Sequence, residues 1–295
     1  MAELKWFPYL LAMLANICFG TASLAFEKFS ISKSPFWMNQ LKVSVAFVGF
    51  MLTFLCVEHY VHLSLSGNLY LLASGFLGLC VGDLFIFKAL TKLGPSRTLV
   101  LYSFQPFLLA LYGFLFLSQT LSNLQVLAIF CMIGCVLTFV LERRQKEGAL
   151  NLGAFFIAFA GIVLDAVGVM LSRQAYEGCP ELGSFQANTL RAAGALFGFL
   201  LIHPQSYRLL YLDLKTMPKP DLKLAVGASI LGTYVSLGFY MRALKTGHLA
   251  TLTAISITLP IWVSLIEHLK LKTWPNRYLW LAFALFITGF VLMNL

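Results

Sequence analysis

Two carboxylates stand inside long apolar runs, Asp83 in GLCVGDLFIF at 78–87 and Asp165 in GIVLDAVGVM at 161–170. Burying an ionisable group in hydrocarbon costs several kcal/mol, so each marks a candidate functional position. A carboxylate that exchanges a proton there is a candidate coupling site for a proton-driven carrier. A structural hydrogen bond to a neighbouring helix is the competing explanation. Cations accompany them. Asn39 and Lys42 are three residues apart and share a helix face, and Asn188 and Arg191 repeat the spacing. Snorkelling to the near interface is the favoured reading for both cations. Polar side chains also punctuate apolar stretches at Asn16, Tyr102, Gln105, Tyr234 and Ser256. Pro106 and Pro260 each free a backbone carbonyl mid-helix, where a helix can bend or bind, and are candidate hinges.

Other chemistries find less support. LCVGD at 79–83 approaches the Gly-x-Gly-Asp pattern of an intramembrane aspartyl protease, with Asp165 as the partner carboxylate. Cys80 replaces the first glycine, however, and no Pro-Ala-Leu follows. There is no GxSxG or HExxH and the five histidines are scattered, so neither enzyme chemistry nor a metal or cofactor is expected. The six cysteines contain no CxxC and read as small apolar side chains. A non-transporting scaffold or a channel is the remaining alternative, but a scaffold has no reason to bury Asp83.

The elements that must hold these residues follow from composition. Hydrophobic types make up 59% of the 295 residues and charged types only 11%, against about 45–50% and about 25% in soluble domains. That excess exceeds what one soluble core can hide, so the chain is read as an all-α integral membrane protein. A spanning helix takes about 20 apolar residues. Ten candidates follow: 6–26, 35–57, 68–88, 98–118, 124–141, 153–172, 184–202, 224–241, 249–267 and 278–295. The connections are short. The longest, 203–223, has room for a short interfacial helix.

An internal repeat organises the ten. At an offset of 149, Phe36, Asn39, Leu41, Ala46, Gly49, Phe50 and Leu52 meet identical residues at Phe185, Asn188, Leu190, Ala195, Gly198, Phe199 and Leu201, and Lys42 meets Arg191. At an offset of 154, Gly78, Val81, Phe85, Ala89, Leu90 and Pro106 meet Gly232, Val235, Phe239, Ala243, Leu244 and Pro260. The chain reads as two five-helix repeats, 1–148 and 149–295. Five is odd, so the second copy enters the membrane from the opposite side. Inverted repeats are a common construction of secondary transporters, with the site between them near the midplane. Gly78xxxGly82 and Gly194xxxGly198 place small residues on one helix face for close packing.

These repeats resemble the drug/metabolite transporter superfamily in its ten-span form with two EamA-type units. FKALTKLGPSRTLVLYSFQP at 87–106 and FLFLSQTLSNLQVLAIFCMIGCVL at 114–137 carry the first copy. YMRALKTGHLATLTAISITLP at 240–260 and the 278–295 tail carry the second. The family often has a Gly-Glu pair after the fourth helix, where this chain has Ser118-Gln119 and Lys272-Thr273. The resemblance implies a multi-pass carrier in the inner or plasma membrane that moves amino acids, nucleotide derivatives or drug-like solutes by alternating access. It also implies a cavity lined by helices 1, 3, 4, 6, 8 and 9, which makes Asn16, Tyr102, Gln105, Tyr234 and Ser256 candidates for its wall, while Asn188 is a candidate through its repeat pairing with Asn39, since a site on the pseudo-symmetry axis is lined by such equivalent pairs. The expected partners are a small-molecule substrate and the lipid bilayer, with a homodimer open and nucleic acid excluded.

The net charge of +9 reads as an orientation signal. With Lys42 and Arg191 snorkelling, sixteen of the 21 cations fall on one side and five on the side bearing the termini. By the positive-inside rule both termini lie outside, whereas the family resemblance implies the reverse. A cysteine introduced in the loop 143–147 is expected to resist a membrane-impermeant thiol reagent added to intact cells. Labelling there from outside overturns the charge reading.

Overall fold

The computed structural model describes residues 7–102, 152–246 and 277–294, with single positions 104, 105, 108, 123, 124, 127, 130, 131, 134, 135, 138, 259, 263 and 266. Six described helices are long and apolar enough to cross a membrane. They are α1 (Phe7–Ser32), α2 (Pro35–Val57), α3 (Leu65–Leu93), α5 (Leu152–Gly178), α6 (Ser184–Ile202) and α8 (Lys219–Lys245). These match the first, second, third, sixth, seventh and eighth expected spans. The fourth expected span begins as α4 (Pro95–Tyr102), and the tenth corresponds to α9 (Arg277–Asn294). Most of the fourth, fifth and ninth expected spans lies outside the described residues, as do Pro106, Ser256 and Pro260. The connection after α6 carries the expected short helix, α7 (Ser206–Thr216).

Local chemistry sets the boundaries. The Ser34 hydroxyl accepts from the Trp37 amide at 3.0 Å and Pro35 opens the first turn of α2, so an orphan donor is capped and φ is preset. Ser64 does the same for α3 through the Gly67 amide, at 3.1 Å. Gly94 adopts φ +80°, a left-handed value that suits glycine, and Pro95 then starts α4. At the end of α2 the Glu58 carboxylate accepts from the Phe185 and Gln186 amides, at 3.1 and 2.9 Å. A negative group thus sits on the positive N-terminus of α6. Gln186 returns the tie by bonding both the amide and the carbonyl of Val61, at 3.0 and 2.7 Å.

The halves interlock. Helix α3 packs on α5 and α6, α8 packs on α1 and α2, and α2 packs on α6. Each repeat's third helix therefore lies against the first two helices of the other. Glycine makes this approach feasible at two points. A Cβ on Gly194 meets the Leu72 carbonyl, and one on Gly75 meets the Arg191 carbonyl, so α3 and α6 touch backbone to backbone. The repeat-equivalent glycines Gly49 and Gly198 face side chains instead, the Tyr234 ring for Gly49 and Phe76 with Cys80 for Gly198.

Both third helices widen at matching positions. Gly75–Gly82 of α3 and Ile230–Val235 of α8 are π-helical, and the offset of 154 lays 76–81 on 230–235. The outer surface is apolar, with Phe156, Phe197, Leu201 and Leu55 exposed. The centre holds buried polar groups including Asn39, Lys42, Asp83, Asp165, Asn188 and Arg191. That distribution suits a bundle whose solvent is lipid.

Gly194→Val is expected to abolish the monodisperse peak in detergent size-exclusion, because its Cβ cannot share space with the Leu72 carbonyl. Gly227→Val, with nothing within 4 Å of its Cβ, should leave that peak in place. Equal behaviour of the two variants removes the close-packing explanation.

Candidate functional site

A cavity opens where the two repeats meet. It has about 80 Å³ of room for water centres, on a scale where about 10–15 Å³ admits one water. Its wall takes Asn16 and Phe19 from α1, Lys42 from α2, Leu79 and Asp83 from α3, and Tyr102 from α4 with Gln105 just beyond. Asp165 comes from α5, Arg191 from α6, and Thr233, Ser236, Leu237 and Tyr240 from α8. Leu259 also lines it. Helices two and seven of the expected order therefore join the wall through their cations, which the resemblance did not imply.

The largest correction to the sequence reading concerns those cations. Neither snorkels. Lys42 is 2% exposed and its Nζ lies 2.6 Å from Asp83 Oδ2, a buried ion pair. The ammonium also sits 4.6 Å from the Phe87 ring centroid and 5.8 Å from that of Phe26. Those ring faces supply electron density that water would otherwise supply. Arg191 is 1% exposed. Its Nε donates to Ser74 Oγ at 2.9 Å and its Nη1 to Asn188 Oδ1 at 3.3 Å. No ion pair to Arg191 occurs among the described residues. Snorkelling fails here because both side chains point into the bundle, where Asp83 meets Lys42 and Ser74 and Asn188 meet Arg191.

Asp165 is held differently from Asp83. Its Oδ2 accepts from the Tyr102 hydroxyl at 2.5 Å and from Gln105 Nε2 at 2.7 Å. Both donors are neutral, so no cation bonds this carboxylate directly, although Arg191 and Lys42 act on it electrostatically. Tyr102, Gln105 and Asp165 thus form one cluster, drawn from residues that the sequence singled out separately.

Two other candidates sit behind the wall. Asn188 is fully buried, donates to the Leu237 carbonyl at 3.2 Å and supports Arg191. Tyr234 turns away from the cavity towards α2, where its hydroxyl lies 2.5 Å from Thr53 Oγ1. Its neighbour Thr233 takes the cavity-facing place. Thr233 is 2% exposed, and its hydroxyl has no hydrogen-bond partner among the described residues. Asn39 donates to the carbonyls of Leu79 and Cys80, both at 3.0 Å, inside the π segment. Widening the helix loosens its own ladder there, and an amide from α2 meets the carbonyls.

The repeat offsets pair the cavity residues. Asn16 corresponds to Asp165, Lys42 to Arg191, Leu79 to Thr233 and Asp83 to Leu237. The sequence offered a signal for the missed cations, since Lys42 and Arg191 are repeat-equivalent and each follows an Asn by three. It offered none for the π segments beyond the matched Gly78 and Gly232.

No curated protein matches this chain significantly. One solved structure, described as "Crystal structure of protein", aligns with a TM-score of 0.65 at 16% identity, covering 98% of this chain and 96% of that one. At that identity the likeness establishes the fold alone. The sequence pattern of the EamA-like transporter family matches residues 6–141 and again 151–295. The pattern thus occurs twice, over most of the chain and with a break close to where the repeats divide. This chain belongs to the EamA-like transporter family, and is a multi-pass membrane protein of a class that transports small solutes.

Proposed function

We propose that the chain is a secondary transporter of the cell membrane, an inner or plasma membrane, that moves a small organic solute by alternating access. On this reading ten helices form two inverted repeats, 1–148 and 149–295, and the substrate site is the cavity between them. The observation that carries it is that one cavity at the repeat junction gathers two carboxylates and two cations, Asp83, Asp165, Lys42 and Arg191, from four different helices. Charged groups are expensive there, and a carrier is the class of protein that gains by keeping them. Interlocked third helices also give each half a lever on the other, so rocking one half reshapes both sides of the cavity.

The two carboxylates divide the work in this account. Asp83 is committed to Lys42 and holds α2 against α3. Asp165, held by neutral donors, is the proton-coupling carboxylate. A two-carboxylate hydrolase fits less well. It needs both carboxylates on one water, whereas Lys42 engages Asp83 and Tyr102 and Gln105 engage Asp165.

Breaking the ion pair from either end leaves a buried charge unmatched, which costs about 3–5 kcal/mol. Asp83→Asn or Lys42→Met alone should lower folded yield and Tm, and the double variant should regain both. If the double variant is no more stable than either single one, the pair does not act as a unit.

Reconstitution tests transport itself. Liposomes holding the purified protein should show saturable solute flux, and empty liposomes should not. Asp165→Asn is expected to lose accumulation driven by a pH gradient while retaining solute exchange. Unchanged uptake and unchanged pH dependence in both Asp165→Asn and Asp83→Asn rule out carboxylate coupling.

A further inference from the structure

The repeats differ at one position that decides what the cavity can hold. In the first, Lys42 has Asp83 at 2.6 Å. In the second, the equivalent cation is Arg191, and the position equivalent to Asp83 is Leu237. The carboxylate that would neutralise Arg191 is therefore replaced by a hydrocarbon side chain, and Leu237 itself lines the cavity.

Arg191 keeps two orienting bonds to neutral partners, Ser74 and Asn188. These fix the plane of the guanidinium without an ion pair among the described residues, and the carboxylate that acts on it electrostatically, Asp165, is hydrogen-bonded to Tyr102 and Gln105 instead. A second, independent feature points the same way. Thr233 contributes to the same wall a buried hydroxyl with no hydrogen-bond partner among the described residues. A buried donor left without a partner costs about 1–3 kcal/mol, so it too fits a wall that a ligand completes.

Resting on the carrier reading above, we propose that Arg191 docks the carboxylate of the transported solute, with the Thr233 hydroxyl as a further hydrogen-bond donor to it. A planar guanidinium matches a carboxylate in geometry and in charge. A single negative charge suits the site better than a phosphate dianion. Lys42 is already spent on Asp83, and Asp165 lines the same cavity. The solute is thus a small monocarboxylate, and one that also carries an ammonium group has Asp165 available for it. The first repeat cannot do this, because Asp83 occupies the corresponding place on Lys42.

Leu237 provides the test, since it can be changed without touching Arg191. Leu237→Asp restores the first repeat's arrangement and supplies the missing counter-charge from within. Leu237→Asn has the same size and no charge. The probes are acetate, 4-methylpentanoate, phenylacetate, leucine and phenylalanine, each paired with its primary amide. Binding to the detergent-solubilised full chain is read by thermal shift and by equilibrium dialysis.

At least one acid should bind the unmodified protein about tenfold or more tightly than its amide, the scale of one charge-assisted hydrogen bond. Leu237→Asn should keep that preference and Leu237→Asp should lose it. Thr233→Val should weaken the acid and leave the amide unchanged. Binding of no acid, equal binding of acids and amides, or the same preference in both Leu237 variants overturns the proposal. If Leu237→Asp does not fold, the acid–amide comparison on the unmodified protein decides alone.

Flux separates this from the broader reading. Acids that bind and do not cross the liposome membrane leave the docking site standing and overturn the carrier. Amides that cross while acids neither bind nor cross do the opposite.

Discussion

Lys42 and Asp83 meet at 2.6 Å in a helix bundle whose outside faces lipid, and much of the surrounding structure serves that contact. Both side chains are almost wholly buried, so each charge is tolerable only while the other stays in place. Phe26 and Phe87 face the ammonium and keep the pair desolvated. Asn39, one turn before Lys42 on the same face of α2, bonds the π-helical carbonyls just before Asp83. The two ends of the pair are thereby brought together by backbone contacts as well as by charge. A slip of α2 along α3 breaks the ion pair and these amide bonds at once, which makes the register between the helices close to all-or-none.

The second repeat inherits the scaffold and drops the pairing. Asn188 repeats the role of Asn39 by bonding Leu237 of its own third helix. Arg191 repeats Lys42, yet it draws its direct support from Ser74 and Asn188 and makes no ion pair with a carboxylate among the described residues, although Asp165 lines the same cavity. Duplication explains why the halves share a backbone, down to π segments at matching offsets. Function needs the halves to differ, because a cavity with two closed ion pairs offers a solute nothing charged to bind. The asymmetry falls on Asp83/Leu237 and Asn16/Asp165, and each replacement exchanges a group with charge for one without.

Much of this was legible before any coordinates. Ten apolar stretches, the five-helix period and the offsets of 149 and 154 follow from residue spacing, and the six long helices described fall on expected spans. Asp83 and Asp165 stand out because a carboxylate in an apolar run is rare on energetic grounds. The destinations of Lys42 and Arg191 were not legible. A cation two turns inside a span reads equally well as snorkelling outwards or pairing inwards, and the choice depends on which way the helix is rotated about its axis. Rotation is set by packing against non-neighbouring helices, which one strand of sequence does not encode locally. Tyr234 and Thr233 show the same limit. They are adjacent, one faces α2 and the other the cavity, and the π turn between the flanking α segments shifts the phase of every side chain after it. The interlocking of third helices across repeats is likewise a non-local fact, although Gly75 and Gly194 mark where it happens.

The position of the cations also changes what the net charge means. Lys42 and Arg191 are inside the bundle with Asp83 and Asp165, so with all four ionised the interior sums to zero. The full +9 then comes from residues outside that group of four. In the ten-span reading of the sequence, fifteen of the remaining cations and six carboxylates fall on the side opposite the termini, against four and four on the other. The side bias that sets orientation therefore survives the loss of two cations from the count. A neutral interior has a further consequence for a carrier. Moving one elementary charge across the membrane field costs about 2.3 kcal/mol per 100 mV, so an empty cavity balanced to zero can rock without working against the potential. Loading a monocarboxylate at Arg191 upsets that balance by one negative charge. On the proposed coupling, a proton taken up on Asp165 in the same step would restore it, which would give Arg191 and Asp165 a single electrical reason to act together.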